Sequence, residues 1–242
     1  MTEEQGVRLN RFLADAGLTS RRGADRMIEE GRVLINGETA VCGARVRSGD
    51  LVEADGKKVT RQKRNVLLLY NKPKGIVCTT DQREEDNIVD AVGYPIRIYP
   101  VGRLDRDSHG LILLTNHGDF INDMMRSSKA HEKEYIVRID RPVTTGMLER
   151  FRKGMFLPEL NKKTRPCLAE KTSADTMRII LTQGMNRQIR RMCEQVGAHV
   201  RDLKRVRIMN LRLDGIGEGQ YRDITEAEQS ELERLLGRKL WQ

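Results

Sequence analysis

The segment Gly102-Arg103-Leu104-Asp105-Arg106-Asp107-Ser108-His109-Gly110 places an aspartate between two arginines among turn-forming residues. The apolar run Leu111-Ile112-Leu113-Leu114 follows at once and reads as a buried strand. A carboxylate beside cations stays ionised at neutral pH and can attack carbon or accept a proton. Loops at the ends of buried strands are where such groups are usually presented. The same nine residues fit a plainer role equally well, with Asp105 as a turn residue or a structural ion-pair partner. Asp107 admits another chemistry, two carboxylates acting as acid and nucleophile on a glycosidic bond. A turn between them leaves their separation open, and Asp107 before Ser108 also suits a local turn cap.

A second segment with chemical potential is Gln183-Gly184-Met185-Asn186-Arg187-Gln188-Ile189-Arg190-Arg191-Met192-Cys193. Asn186 is the expected cap of a helix whose buried face is Ile189, Met192, Cys193 and Val196. Arg187, Arg190 and Arg191 then crowd the first turn, where the helix dipole is already positive. Each mismatch costs roughly 0.3–1 kcal/mol near the surface. A buried aspartate or RNA phosphates would offset it, which makes this helix a site candidate. Tyr135, in Glu134-Tyr135-Ile136-Val137, is a third candidate. An inward tyrosine on a strand is most often core, yet with aromatics at 4% it is also a scarce stacking surface for a base.

The chain of 242 residues carries 44 Lys and Arg against 35 Asp and Glu, a net charge of +9, which favours a polyanionic partner. The charge is concentrated. Between Arg178 and Arg212 nine basic residues, among them Arg201, Lys204, Arg205 and Arg207, meet only Glu194 and Asp202. No apolar run approaches the roughly 20 residues of a membrane helix. The acidic start Met1-Thr2-Glu3-Glu4 has no signal-peptide core. Cys42, Cys78, Cys167 and Cys193 form no CxxC pair, and the four histidines show no HxxxH spacing. No metal site or disulfide framework is expected, and a reducing cytoplasm is the natural setting.

The elements that must position these groups fall into two regions. Residues 1–56 read as a small module. Leu9, Phe12, Leu13 and Ala16 share a helix face, and Gly17 closes that helix. Thr19 or Ser20 caps a second helix that Gly31 stops. Asn36-Gly37 turns a hairpin, and Asp55-Gly56 marks a later turn. Residues 57–65 are polar and basic and read as a linker. From Val66 to Gln242, strand candidates at 66–70, 111–114, 135–139, 177–181 and 206–213 alternate with helices near 119–127, 144–153, 187–196 and 226–236. Thr225 and Glu228 form a capping box for the last helix. The expected class is α+β, with helices packed on a large mixed sheet.

Two short helices, the Thr-Ser-Arg-Arg junction and the strand Val33-Leu34-Ile35-Asn36-Gly37 resemble the S4 RNA-binding domain over residues 7–52. The resemblance implies that Arg11, Arg21, Arg22 and Arg26 face RNA phosphates. Gly102-Arg103-Leu104-Asp105, Glu134-Tyr135-Ile136-Val137 and Asn186-Arg187-Gln188-Ile189-Arg190-Arg191-Met192 are similar to the successive motifs of RNA pseudouridine synthases. Lys72-Pro73-Lys74-Gly75 matches that family's Lys-Pro-x-Gly segment. With the S4-like module in front, the chain resembles the ribosomal branch of the family. It ends at Gln242 without the long basic C-terminal extension that some members carry.

The resemblance implies a mainly antiparallel sheet with a central cleft, in which uridine within RNA is isomerised to pseudouridine. Asp105 is then the catalytic aspartate, Tyr135 stacks on the uracil, and Arg190 pairs with Asp105. Arg103 helps fill the space left by the flipped base. Arg187, Arg191, Lys204, Arg205 and Arg207 are expected on RNA. The expected partner is ribosomal RNA, with a large-subunit stem-loop favoured and transfer RNA kept open. The reaction needs no cofactor and no metal, being an isomerisation without a redox or group-transfer partner. A monomer is expected. A non-catalytic ribosome-associated RNA-binding protein would need only the first module and would leave Asp105 and the mis-signed helix without a purpose. A hydrolase using Asp105 and Asp107 would release free uracil, whereas an isomerase retains it.

Overall fold

The computed structural model describes residues 6–60, 64–126 and 130–241. The chain divides into two compact units. One runs up to Asn65 and includes Asn116–Gly118; the other is Val66–Thr115 and Asp119 onward.

The first unit begins with β1 (Val7–Arg8), α1 (Leu9–Asp15) and α2 (Arg21–Glu29). Ser20 caps α2 by accepting a hydrogen bond from the Gly23 amide at 3.0 Å, so the second of the two expected caps is the one used. Strands β2 (Val33–Ile35), β3 (Glu38–Thr39), β4 (Arg45–Val46), β5 (Val52–Ala54) and β6 (Lys57–Lys58) follow. β4 pairs with β1, and the others form a sheet in the order β3-β2-β5-β6. Asn36 and Gly37 both take positive φ, the requirement of a tight hairpin turn. Leu9, Leu13, Ala24, Ile28, Val33 and Val52 form the core of this unit. The linker expected at 57–65 is shorter than its sequence suggests. Lys57 and Lys58 pair with Ala54 and Glu53, and the Val59 amide bonds the Val52 carbonyl. Two exposed lysines on an edge strand look like a linker in sequence because neither points inward. Of that stretch, residues 61–63 lie outside the described residues.

In the second unit the chain runs through β7 (Leu67–Lys72), α3 (Ile88–Val92), β8 (Tyr99–Pro100), β9 (His109–Thr115) and α4 (Gly118–Met125). It continues through β10 (Lys133–Ile139), α5 (Thr145–Lys153), β11 (Phe156–Leu157), β12 (Lys162–Lys163), β13 (Leu168–Lys171) and β14 (Thr176–Leu181). Last come α6 (Gln188–Glu194), β15 (Val200–Ile208), β16 (Leu211–Arg212), β17 (Tyr221–Asp223) and α7 (Glu226–Leu236). The expected end of α4 near residue 127 lies outside the described residues.

The main sheet has the order β13-β14-β10-β15-β9-β7-β17, with β16 on β15 and β8 on β9. Its pairs are antiparallel except β15 with β9. The parallel join lies mid-sheet and brings the β9 residues His109 and Gly110 beside Lys204 and Arg205. Gly110 is required there, since a Cβ would sit 2.3 Å from the Arg205 carbonyl oxygen. Both faces of the sheet are covered. Leu68, Tyr70, Ile112, Leu114, Val137 and Ile179 pack on one side with Phe151 and Met192. Leu67, Leu69, Leu111 and Leu113 pack on the other with Phe120 and Leu232. Fully buried central strands read as continuous apolar runs, and Leu67–Tyr70 and Leu111–Leu114 do so. No helix among the described residues is long and apolar enough to cross a membrane.

Candidate active site

The segment between β8 and β9 is a tight loop pinned at several points. The Ser108 amide bonds the Asp105 carbonyl at 3.0 Å, closing a turn over residues 105–108. Gly102 enters the loop at φ +80, and Leu104 is buried, its amide donating to Cys78 Sγ at 3.3 Å. Asp105 is thereby held at the wall of a cleft of about 570 Å³. Residues 77–79, 101–106 and 182–189 line this cleft, together with Lys133, Tyr135, Leu203, Arg205 and Ile208. Its size is in the range of ligand pockets that take one small ring system or nucleoside.

The cations that face Asp105 are not its sequence neighbours. Arg106 turns away to Asp86 at 2.5 Å and to the Gly75 carbonyl at 3.0 Å. Arg103 is exposed at the cleft and makes no hydrogen bond or ion pair among the described residues. Arg187 and Arg190 approach instead, at 3.8 and 3.9 Å from Asp105 Oδ2. The reading that Arg103 and Arg106 hold the carboxylate is corrected: in a turn, adjacent side chains diverge, and a distant helix supplies the charge.

Asp105 is half-buried, not buried, with its side chain 31% exposed. Asp107 draws the same two arginines more closely, with Arg190 Nη2 at 3.0 Å and Arg187 Nη2 at 3.5 Å. Arg190 Nη2 also donates to the Asp107 carbonyl and to Ser108 Oγ, at 3.2 and 3.1 Å. These carboxylates, with Glu159 at 3.1 Å from Arg191, offset the positive dipole end of α6.

Asn186 does not cap α6. Arg187 occupies the cap position in the left-handed conformation, φ +49, with no side-chain cap bond. A non-glycine residue there costs on the order of 1 kcal/mol, and such strain concentrates at functional sites. The turn is closed by Gln188, whose Oε1 accepts from the Met185 amide at 3.1 Å. Asn186 accepts from Arg191 instead, through its carbonyl and Oδ1. The left-handed Arg187 directs its guanidinium back over the loop of Asp105.

Tyr135 is 8% exposed, so its ring belongs to the core and the cleft wall together. The pairing of β10 with β15 is irregular between Glu134 and Tyr135. An extra residue there re-aims the side chains on either side. Lys133, two residues earlier on the same face, also lines the cleft. Burial, and then the neighbouring Arg205, push its amine down to about 8. Lys72 is fully buried with Nζ bonded to the carbonyls of Pro73 and Ile76. Burial pulls its amine down, while Cys78, Asp107 and Asp105 pull it up. Residue-by-residue reading assigned no role to Lys133, Lys72, Cys78 or Ser108. Only the Lys-Pro-x-Gly match marked one of them.

The basic cluster of β15 differs from expectation. Arg205 is buried, and its Nε donates to the Leu111 carbonyl at 2.6 Å. Arg207 Nε bonds Glu134 Oε2 at 2.7 Å, and Nη2 bonds Glu132 at 2.9 Å. The Arg207 guanidinium is taken up by glutamates of β10 and its approach, whereas Arg205 is held on the Leu111 carbonyl at the cleft wall. Charge counting along a strand cannot distinguish the face that meets glutamates from the one that meets solvent. Lys204 is half-buried, and Arg191 is tied to Glu159 and Asn186. In the first unit Arg21, Arg22 and Arg26 are exposed on α2 with no hydrogen bond or ion pair among the described residues. Arg11 pairs with Asp15 at 3.3 Å.

Comparison with known proteins identifies the family. The family described as RNA pseudouridylate synthase matches residues 66–195, and the S4 domain matches residues 7–52. A relative named dual-specificity RNA pseudouridine synthase RluF, from Escherichia coli (strain K12), is 46% identical over 98% of this chain and 81% of its own length. One named ribosomal large subunit pseudouridine synthase B, from Bacillus subtilis (strain 168), is 35% identical over 94% of this chain and 96% of its own. A solved pseudouridylate synthase superposes with TM-score 0.68 at 29% identity, covering 95% of this chain and all of that one. The cleft with its loop-borne aspartate and helix-borne arginines therefore lies in a member of the RNA pseudouridylate synthase family, an isomerase that carries an S4 RNA-binding domain.

Proposed function

We propose that this isomerase converts a uridine in a stem-loop of large-subunit ribosomal RNA to pseudouridine, with Asp105 as its catalytic aspartate. The observation that carries the reading is Asp105 itself, half-exposed at the cleft wall with Arg187 and Arg190 within 4 Å and Tyr135 lining the same cleft. The ribosomal substrate is supported by the name of the Bacillus subtilis relative and by the S4 domain.

The atoms that react are shielded in a stacked helix, so the uridine must be flipped into the cleft at a cost of a few kcal/mol. Phosphate contacts by Arg21, Arg22 and Arg26 help to offset it. Arg103, exposed at the cleft with no ion pair among the described residues, fills the vacated stack. In the cleft the Asp105 carboxylate attacks C1′ or assists loss of the base, and the N1–C1′ bond breaks. The uracil stays stacked on Tyr135 and turns, C5 bonds C1′ as any Asp105–C1′ bond breaks and frees the carboxylate, the C5 proton passes to solvent, and N1 takes up a proton from solvent. Reactant and product are isomers, so no redox partner or group donor is required. Arg190 positions the Asp105 loop through Asp107 and Ser108. The enzyme acts as a monomer in the cytoplasm.

The test uses ribosomal RNA labelled with tritium at uracil C5, from cells lacking this protein. Wild type releases tritium with the base retained, and Asp105→Asn does not. Release of free uracil would indicate a hydrolase. Tight binding without release by wild type would leave an RNA-binding module.

A further inference from the structure

The hairpin of β11 and β12 stands outside the cleft and has no part in the chemistry above. Its base is rigidly built. Gly154 takes φ +74, and a Cβ there would sit 2.4 Å from the Thr164 carbonyl oxygen. Thr164 is buried, and Met155 and Thr164 exchange bonds of 2.9 Å (Met155 amide to Thr164 Oγ1) and 2.8 Å (Thr164 amide to the Met155 carbonyl). A 3₁₀ turn at Pro158–Leu160 and a left-handed Asn161 close the loop.

The two strands pair Phe156 with Lys163 and Leu157 with Lys162. Directly opposed residues project to the same face. Leu157 is fully buried, so its face is the inner one, and Phe156 is 54% exposed on the outer face beside Lys163. The other three phenylalanines are not exposed: Phe120 and Phe151 are fully buried, and Phe12 packs on the first unit's core. The side chains of Lys162 and Lys163 are exposed and make no hydrogen bond or ion pair among the described residues.

A single exposed apolar side chain is ordinary. Here the ring is held by a rigid hairpin, flanked by free ammonium groups, and tied to the site. Glu159 in the turn binds Arg191 at 3.1 Å. The Arg191 amide bonds the carbonyl of Arg187, whose guanidinium reaches Asp105. One helical turn, about 5.4 Å, thus separates the arginine at the catalytic loop from the arginine at the hairpin.

We infer that the β11–β12 hairpin grips the substrate RNA, with Phe156 stacking on an unpaired base beside the target uridine and Lys163 meeting the adjoining phosphate. An aromatic face with adjacent cations is the chemistry of sequence-tolerant single-strand binding. A protein partner would be met by a wider apolar surface with fewer uncompensated lysines. The inference rests on RNA being the substrate of the cleft.

The experiment compares wild type, Phe156→Ala, Phe156→Tyr and Lys163→Ala on protein-free large-subunit ribosomal RNA, following tritium release and binding against salt. Phe156→Ala raises KM about tenfold, the worth of roughly one stacked base, with kcat within about twofold. Phe156→Tyr restores KM. Lys163→Ala lowers the magnitude of the log–log salt slope by about 0.7–0.9, while Phe156→Ala leaves it unchanged. A photoreactive benzoylphenylalanine at position 156 crosslinks to a nucleotide near the target. An unchanged KM in Phe156→Ala with no RNA crosslink overturns the inference. So does a defect seen only on partly assembled subunits and absent on protein-free RNA, which would assign the ring to a protein partner. If wild type releases no tritium from any RNA, the isomerase reading of this site fails, and the crosslink still decides the hairpin's role by itself.

Discussion

Arg190 grips Asp107 more closely than Asp105. Its Nη2 stands 3.0 Å from Asp107 Oδ2, whereas its Nε is 3.9 Å from Asp105 Oδ2, beyond hydrogen-bond range. That Nε is buried and has no hydrogen-bond partner. An unsatisfied buried donor costs about 1–3 kcal/mol, so a shift of about 1 Å that closes the Asp105 contact is favoured. Catalytic hydrogen bonds are often long before substrate binds and shorten in the complex. One guanidinium therefore anchors the loop through Asp107 and Ser108 and keeps a donor in reserve for Asp105.

Replacing Asp105 by Asn removes the carboxylate proposed to act at C1′ and little else, since the Asp105 side chain is half-exposed and not a main anchor of Arg190. Turnover is expected to fall by about 10³-fold or more, with RNA affinity within a few-fold of wild type. Single-turnover tritium release and a filter-binding titration measure the two. Appreciable turnover by the Asn variant would remove Asp105 from the mechanism.

Arg190→Ala strips the loop of its anchor and leaves Ser108, which is fully buried, without its guanidinium partner. A loss of about 2–4 kcal/mol in stability is expected, together with a lower kcat. Asp107→Ala has the milder effect, about 1 kcal/mol, because Arg190 keeps the Asp107 carbonyl and Ser108 Oγ. Denaturant midpoints rank the two variants. A larger loss for Asp107→Ala would show that the side-chain ion pair, not the backbone hydrogen bond, holds the loop.

Arg21→Ala with Arg22→Ala should weaken RNA binding and reduce the salt slope by roughly 0.7–0.9 for each phosphate that is no longer neutralised. Arg207→Ala should behave in the opposite way. Glu134 is buried between Arg178 and Arg207, and hydrogen bonds from both, Arg178 foremost, hold its carboxyl below the usual range against the pull of burial. Removing Arg207 should cost about 2 kcal/mol in stability and leave the salt slope alone. Binding isotherms at several salt concentrations, paired with melts, separate the two kinds of arginine. A reduced slope for Arg207→Ala would place that residue on RNA after all.

Lys133 links the cleft to pH. Its amine lies at about 8, well below the ordinary 10.5. Between those values the unfolded chain binds more protons than the folded one, so stability rises with pH over that window. Below about pH 8 the desolvated ammonium is a standing cost of roughly 3 kcal/mol. Lys133→Met should therefore be more stable than wild type at pH 7, with the gap closing between about pH 8 and 10.5. Chemical denaturation across that range is the check. A gap that does not vary with pH would mean that the amine is not buried in its charged form.

Much of the framework was legible in the chain itself, because it rests on local physics. Asn36-Gly37 dictates a hairpin turn because both residues tolerate positive φ, and Ser20 and Thr225 cap helices through their own short side chains. The runs at 67–70 and 111–114 are uniformly apolar because both sheet faces are covered. The ordered motifs around Asp105, Tyr135 and Arg190 identified the family before any spatial pairing was known. What the tertiary structure alone decided is which charges meet. Arg103, Arg106, Arg205 and Arg207 are equivalent as letters, yet one is exposed at the cleft with no partner among the described residues, one binds Asp86, one is buried at the cleft wall on the Leu111 carbonyl, and one binds glutamates. The cations at Asp105 come from a helix some 80 residues away in the chain. Such pairings depend on which face of a strand or turn each side chain takes and on what crosses it. A linear pattern records spacing along the chain, whereas Coulomb energy depends on distance through space.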